Sequence, residues 1–351
     1  MNLRRYYLID IARGIAALSV VIFHYRVFYE DKISVTNFVI KDQPFYKYLF
    51  FFYENGWIAV QFFFVISGFV FYLLYSEKIK QNKITFSEFF KLRFSRLYPL
   101  HFLTLVAMVL IFYFSNLNTF TGMVRGDLKH LLLNIFLIHK WGFEQFGSFN
   151  EPSWSVSIEI LLYLIFFLVF FIKKNAYLTT LMLLFLSPLV FYLNKFVGYG
   201  IYCFFIGGFT CLIYNKITFK TKYLKIGLLF GFILSISSTI SFFYIDNSII
   251  TKIISFTFFF PSIILVLMII QFFFINAGNI FKILGDVSYS IYLIHYVVQA
   301  IIKIFLYNFS IKIDFNSNYI FLSYILIVYI FGIISYKFYE RPLQNYIRAK
   351  Y

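Results

Sequence analysis

The sequence predicts an all-α, polytopic membrane protein of about ten transmembrane helices with both termini cytoplasmic, and three observations carry that prediction. Of 351 residues, 61% are hydrophobic and 13% charged, with a mean hydropathy of +0.81. Ordinary soluble domains are about 45–50% apolar and about 25% charged. Ten apolar segments, at about 8–28, 57–76, 98–115, 154–172, 177–197, 199–214, 224–245, 251–272, 287–308 and 319–338, each approach the ~20 residues that a spanning helix requires. Nineteen Lys and Arg fall in connections on the side of the N-terminus, nine on the opposite side and three within segments, and the positive-inside rule makes the richer side cytoplasmic.

Spans consume almost the whole length, so the chain reads as one membrane-embedded domain over 1–345 with a short cytoplasmic tail at 346–351. Its net charge of +16 sits between apolar runs and forms no continuous aromatic-basic surface. That distribution speaks for contact with membrane lipids and against nucleic acid. Arg4 and Arg5 before an apolar stretch resemble a signal peptide, but Arg13 and the lack of a small-residue cleavage site predict a retained anchor. No internal repeat or inverted-repeat symmetry is visible, which disfavours the common transporter architectures.

The first segment, D-I-A-R-G-I-A-A-L-S-V-V-I-F-H, places Asp10, Arg13 and His24 inside a span. Ionisable groups there are costly and mark function by default. Eleven steps of about 100° are three turns with about 20° left over, so Arg13 and His24 share one helix face with their Cα atoms about 16 Å apart. A substrate reaching both must be long. Asp10, three residues before Arg13, is close enough to pair with it. A neutral imidazole suits His24 to act as a general base on a hydroxyl, the alternative being an interhelical hydrogen bond.

The second segment, G-W-I-A-V-Q-F-F-F-V-I-S-G-F, sets Ser67 and Gly68 in an aromatic helix, where small residues allow close approach of another helix or of a narrow ligand. The basic connection Ser76–Leu97 ends in K-L-R-F-S-R-L-Y-P and predicts a helix lying on the cytoplasmic surface and feeding the third span. Arg93 and Arg96, at i and i+3, offer two planar guanidinium groups that suit either the phosphates of a substrate or lipid headgroups. In the outer connection from about 116 to 153, Leu131–Ile138 is too short to span and reads as a re-entrant or interfacial helix.

Glu159 lies in P-S-W-S-V-S-I-E with Trp154 a turn and a half before it. A carboxylate there either pairs with an arginine or histidine of another helix, Arg26 among the candidates, or orients His24. Cys203 and Cys211 fall in one segment eight residues, about 12 Å, apart, too far for a disulfide within one helix. In L-G-D-V-S-Y-S-I-Y-L-I-H, His295 sits inside a span, and core hydrogen bonding is its default role. No zinc signature, P-loop or dinucleotide fingerprint occurs, and His130 and His139 are too isolated to form a metal site.

Six stretches in this order, R-G-I-A-A-L from Arg13 with His24 beyond it, F-F-F-V-I-S-G-F at 62–69, R-F-S-R-L-Y-P at 93–99, W-S-V-S-I-E at 154–159, S-Y-S-I-Y-L-I-H at 288–295 and Y-E-R-P at 339–342, cover nearly the whole chain. Together they resemble acyltransferase family 3 of bacterial membrane proteins, which includes O-acetylases of lipopolysaccharide O-antigen, capsule and exopolysaccharide. The resemblance implies a multi-pass protein of the bacterial inner membrane that moves an acyl group, acetyl above all, from cytoplasmic acetyl-CoA to a hydroxyl of an outward-facing glycan. It implies that Arg13 and His24 are the essential pair of the first span, and that Arg93 and Arg96 hold the phosphates of acyl-CoA, with Arg13 joining them in anchoring the CoA end. Trp154, Glu159, Tyr289 and His295 match motif positions whose roles the resemblance leaves open. Some members carry a further extracytoplasmic domain. This chain ends at Tyr351, so transfer is expected to finish in the membrane part or with a partner. The competing classes are a transporter or flippase of a lipid-linked glycan or small molecule, whose path the same polar residues would line, and a structural subunit, against which the cost of idle intramembrane charges argues.

Overall fold

The computed structural model describes residues 5–29, 34–114, 126–144, 147, 149–172, 175–218, 220–244 and 248–349. Arg4, Lys32, Arg125, Lys173, Lys174 and Lys350 of the topological charge count lie outside them. Helices account for nearly all of the described residues, and an isolated bridge joins Ser34 to Ile313. In chain order they are α1 (Tyr7–His24), α2 (Tyr46–Asn55), α3 (Ala59–Lys80), α4 (Phe86–Phe114), α5 (Leu128–Ile135), α6 (Trp154–Ile172), α7 (Ala176–Leu193), α8 (Lys195–Ile217), α9 (Thr221–Tyr244), α10 (Ser248–Ile254), α11 (Phe260–Phe273), α12 (Lys282–Asp286), α13 (Ser288–Asn308), α14 (Asn318–Ser335) and α15 (Arg341–Ala349). Ten stretches among the described residues are long and apolar enough to cross a membrane, and each overlaps one of the ten predicted from sequence.

Local chemistry sets many of the boundaries. Asn194 caps α8 by accepting from the amides of Phe196 and Val197, at 3.0 and 3.2 Å, and Asn175 caps α7 at the amide of Leu178. Asp127 accepts from the amide of His130 at 2.9 Å. That cap starts α5 at Leu128, three residues before the predicted short helix, which stops at Ile135 where Leu137 turns the chain with a positive φ of 57°. The basic connection departs from expectation. It is not a separate surface helix, because Phe86 to Phe114 forms one continuous α-helix that passes through Pro99. Phe89, Arg93, Leu97 and Leu100, which share one side of the helix, are all buried, so the stretch turns that face to protein. In that packed setting the amide hydrogen bond that proline cannot make is tolerated. The last span likewise continues, through a π-helical turn at Tyr336–Glu340, into α15.

The chain forms two compact units, each assembled from three separate stretches. The first comprises the residues up to Arg13, Val60–Phe86 and Ile158–Gly285, and the second Gly14–Ala59, Ser87–Ser157 and Asp286–Tyr351. In the first unit α3 and α8 cross closely. A Cβ at Gly68 would fall on the carbonyl of Phe204, and one at Gly207 on the carbonyl of Val65. Small residues at such contacts let the backbones approach, which is how helices gain contact area where lipid offers no hydrophobic drive. Cys203 and Cys211 are free and buried in α8. In the second unit an aromatic cluster closes around Tyr25 and Phe28. Phe28 stacks on Phe315 at 4.6 Å, and the Tyr25 hydroxyl donates to the Phe315 carbonyl at 3.0 Å.

Candidate active site

In the first unit the start of α1 is pinned twice. The buried side chain of Gln271 accepts from the amide of Leu8 at 2.9 Å, satisfying one of the donors that a helix start leaves open. Asp10 holds two arginines, Arg5 at 2.6 Å and Arg13 at 3.9 Å. Arg5 also donates to the carbonyl of Lys282, and Gly285 packs directly against Asp10, since a Cβ there would strike its side chain. The expected Asp10–Arg13 contact is therefore one arm of a three-residue cluster, and Arg5 was not foreseen.

The same unit gathers Ser67 of α3 with Glu159 and Tyr163 of α6. Ser67 donates to Glu159 Oε1 at 2.9 Å, and the Tyr163 hydroxyl donates to the same oxygen. Both partners of Glu159 here are hydroxyls; neither is an arginine or a histidine. Arg26, the candidate partner named from sequence, lies over the Phe23 ring and donates to the carbonyls of Phe23 and Tyr53 within the second unit. Trp154 begins α6 and is half-buried.

The second unit holds the most unusual group. His24 ends α1, and its Nδ1 lies 3.1 Å from its own helix's Val20 carbonyl and 3.2 Å from Nε2 of His295 on α13. The ring centroids are 5.1 Å apart. One turn further along α13, Gln299 donates to the carbonyl of His24 at 2.8 Å, just where the helix tightens into the 3-10 turn Tyr25–Tyr29. His295 is wholly buried, whereas His24 is partly exposed. Nearer the start of α13, Tyr289 is buried and donates to the Leu97 carbonyl at 2.7 Å, and Ser290 donates to the buried carboxylate of Glu340 at 2.6 Å. Glu340, in a π-helical turn of a kind often found at functional sites, has no role in the sequence reading beyond its place in Y-E-R-P.

Arg93 is buried and Arg96 half-buried on α4. α15 brings a third guanidinium to this stretch, because Arg348 donates to Ser95 Oγ and to the Leu92 carbonyl, both at 3.3 Å. The sequence signal for it was present but weak, a basic residue in a strongly amphipathic terminal helix. An apolar groove of about 370 Å³ runs between α4, α13 and α14 and presents almost no polar surface, so its chemistry is that of hydrocarbon contact. Between α5 and α6, the buried His139 ring stacks at 6.4 Å over His101 and lies 3.4 Å from Ser153 Oγ. Burial, with help from His101 and Lys140, holds His139 well below the usual histidine value. Among the described residues no group of histidine, cysteine and carboxylate side chains is placed to hold a metal ion.

A multi-pass helical protein with an intramembrane histidine pair and a cluster of arginines beside one of its spans is the class these observations define. The family model described as an acyltransferase domain matches residues 6–344, and the chain belongs to that family, acyltransferase 3. It is 26% identical over 342 residues to an O-acetyltransferase, OatA, of Staphylococcus aureus, covering 83% of this chain and 53% of the relative. The peptidoglycan O-acetyltransferase OatA of Listeria monocytogenes is 31% identical over 133 residues, 34% of this chain and 21% of that protein. An acyltransferase, MdmB, of Streptomyces mycarofaciens is 40% identical over 114 residues, 32% of this chain and 27% of that protein. The chain thus spans about half or less of the length of these relatives. No solved structure matches it.

Proposed function

We propose that the protein is an integral-membrane O-acetyltransferase that moves an acetyl group from cytoplasmic acetyl-CoA to a hydroxyl of a cell-surface glycan. The observation that carries this reading is the partly exposed His24 imidazole inside a span, held at its ring and at its backbone by α13. Membership of the acyltransferase family supports it, as do relatives whose names specify O-acetyl transfer. His24 removes the proton of the acceptor hydroxyl, whose oxygen attacks the thioester carbonyl. The C–S bond breaks and coenzyme A leaves as the thiol once it gains a proton. Arg93 and Arg96 hold the phosphates of the donor, a task suited to planar, permanently charged groups. On the resemblance, Arg13 belongs to the essential set of the first span. The membrane is the bacterial inner membrane, and the excess of Lys and Arg on one side supports cytoplasmic termini.

The test is transfer of labelled acetyl from acetyl-CoA to the cell's own glycan in membrane vesicles containing the wild-type protein or His24→Ala. Loss of about 10²-fold or more in rate is expected, the usual contribution of a general base. Wild-type transfer by His24→Ala, or transport of a glycan precursor with no label incorporated, overturns the reading.

A further inference from the structure

We propose that His295 is the positioning residue for His24: it fixes which nitrogen of His24 carries the proton and stabilises the imidazolium formed when that ring accepts another. This rests on the reading of His24 as the base.

The tautomers follow from partners that can only accept. His295 Nδ1 faces the Ile291 carbonyl at 3.3 Å, and a carbonyl has no proton to give, so Nδ1 carries the hydrogen. In the neutral ring the lone pair is then on Nε2, which points at His24 Nδ1 across 3.2 Å. His24 Nδ1 also faces a carbonyl, that of Val20 at 3.1 Å, so it too carries a hydrogen, shared between that oxygen and His295 Nε2. The second nitrogen of His24, Nε2, is left with its lone pair. A single arrangement of hydrogens satisfies all three contacts, and it leaves His24 as a base. When Nε2 takes the proton of an acceptor hydroxyl, the Nδ1 hydrogen remains bonded to His295, whose lone pair stabilises the new positive charge. In the Ser-His-Asp arrangement a carboxylate holds the tautomer and stabilises the cation in this way. Here a neutral ring does so, without an additional buried anion.

Packing supports the assignment. α13 touches His24 at two points one turn apart, His295 at the ring and Gln299 at the carbonyl. Together they fix the height and the rotation of the imidazole at the place where α1 loses its regular hydrogen bonding. Full burial of His295 keeps water from competing for its Nε2.

The experiment compares three substitutions of His295 in the full chain, in vesicles, with labelled acetyl-CoA as donor. Gln sets its amide oxygen near the former Nε2 and preserves an acceptor for His24. Asn sets its shorter amide near the former Nδ1 and keeps only the Ile291 side. Phe keeps the shape alone. The expected result is kcat within about fivefold of wild type for His295→Gln, and a loss of about 10- to 100-fold for both His295→Asn and His295→Phe, with KM for acetyl-CoA unchanged throughout. Nitrogen-15 spectra of histidine-labelled protein provide an independent readout that needs no turnover. His24 Nε2 gives the signal of an unprotonated imidazole nitrogen in wild type and in His295→Gln, and becomes partly protonated in His295→Phe. Asn performing as well as Gln, or Phe retaining wild-type kcat and an unprotonated His24 Nε2, overturns the positioning role. Either result, with His24→Ala inactive, leaves the proposed function standing, whereas wild-type activity in His24→Ala removes both.

Discussion

At the scale of single residues, Glu159, His24 and Arg26 are each hydrogen-bonded by specific partners. Glu159 takes two hydroxyl donors on one oxygen, from Ser67 and Tyr163, and a hydrogen bond contributes about 0.5–1.5 kcal/mol net. Replacing the carboxylate by methyl strands both hydroxyls, so Glu159→Ala is expected to lower stability by about 1–3 kcal/mol, and Glu159→Gln, which keeps an acceptor oxygen, by less. Thermal unfolding of the purified protein reads this directly, and an alanine variant that melts with the wild type contradicts it. Glu159, His24 and His295 are each conspicuous in the sequence because ionisable groups are rare in spans. Their partners are not conspicuous. His24 and His295 stand 271 residues apart, and Ser67 and Glu159 92. Residues that distant meet only when helices pack, and packing has no local signature.

At the scale of elements, the crossing of α3 and α8 depends on two glycines that face each other's neighbours. Because a Cβ at Gly68 or Gly207 would overlap backbone carbonyl atoms, which cannot rotate aside, Gly68→Ala and Gly207→Ala are each expected to cost about 1–3 kcal/mol or more, as overpacking does. Gly231→Ala is expected to be milder, because there the nearest atom is a Val266 methyl group at 2.8 Å, on a side chain that can adjust. Melting temperatures and membrane yields of the three variants give the comparison, and equal effects at all three would refute it. Where a capping Asn or Asp fixes a helix start, α8 and α5 begin four and three residues before the expected segments, whereas the start of α7 was legible to within one residue. The continuity of α4 was not, since alternating basic and apolar residues before a proline read equally as a surface helix, and only the burial of Phe89, Arg93 and Leu97 distinguishes the two.

At the scale of the whole molecule, large apolar side chains on the outer helices of the first unit face outward, among them Phe185 at 85% and Tyr192 at 87% exposure. Large apolar side chains exposed in such number belong in a bilayer. The orientation proposed from the distribution of Lys and Arg can be tested with single cysteines, since the native thiols of Cys203 and Cys211 are buried and will not compete. Lys129→Cys, on the predicted outer side and exposed, should react with an impermeant maleimide in spheroplasts. Lys83→Cys, also exposed, should react only after the membrane is opened. The reverse pattern would invert the topology.

The sequence by itself determined the all-helical class, the ten spans and the identity of the costly residues, because hydrophobic length and the price of intramembrane charge are local properties of the chain. Tertiary structure alone decided which of those residues work together. Beyond the Asp10–Arg13 pair, already legible from its three-residue spacing, it joined His24 to His295 and Gln299, set Gly285 and the Lys282 carbonyl against the Asp10–Arg5 pair, and placed Glu159 between Ser67 and Tyr163. Hydrogen bonds only a few ångströms long depend on how helices distant in sequence rotate and pack, and no periodicity within one helix encodes that.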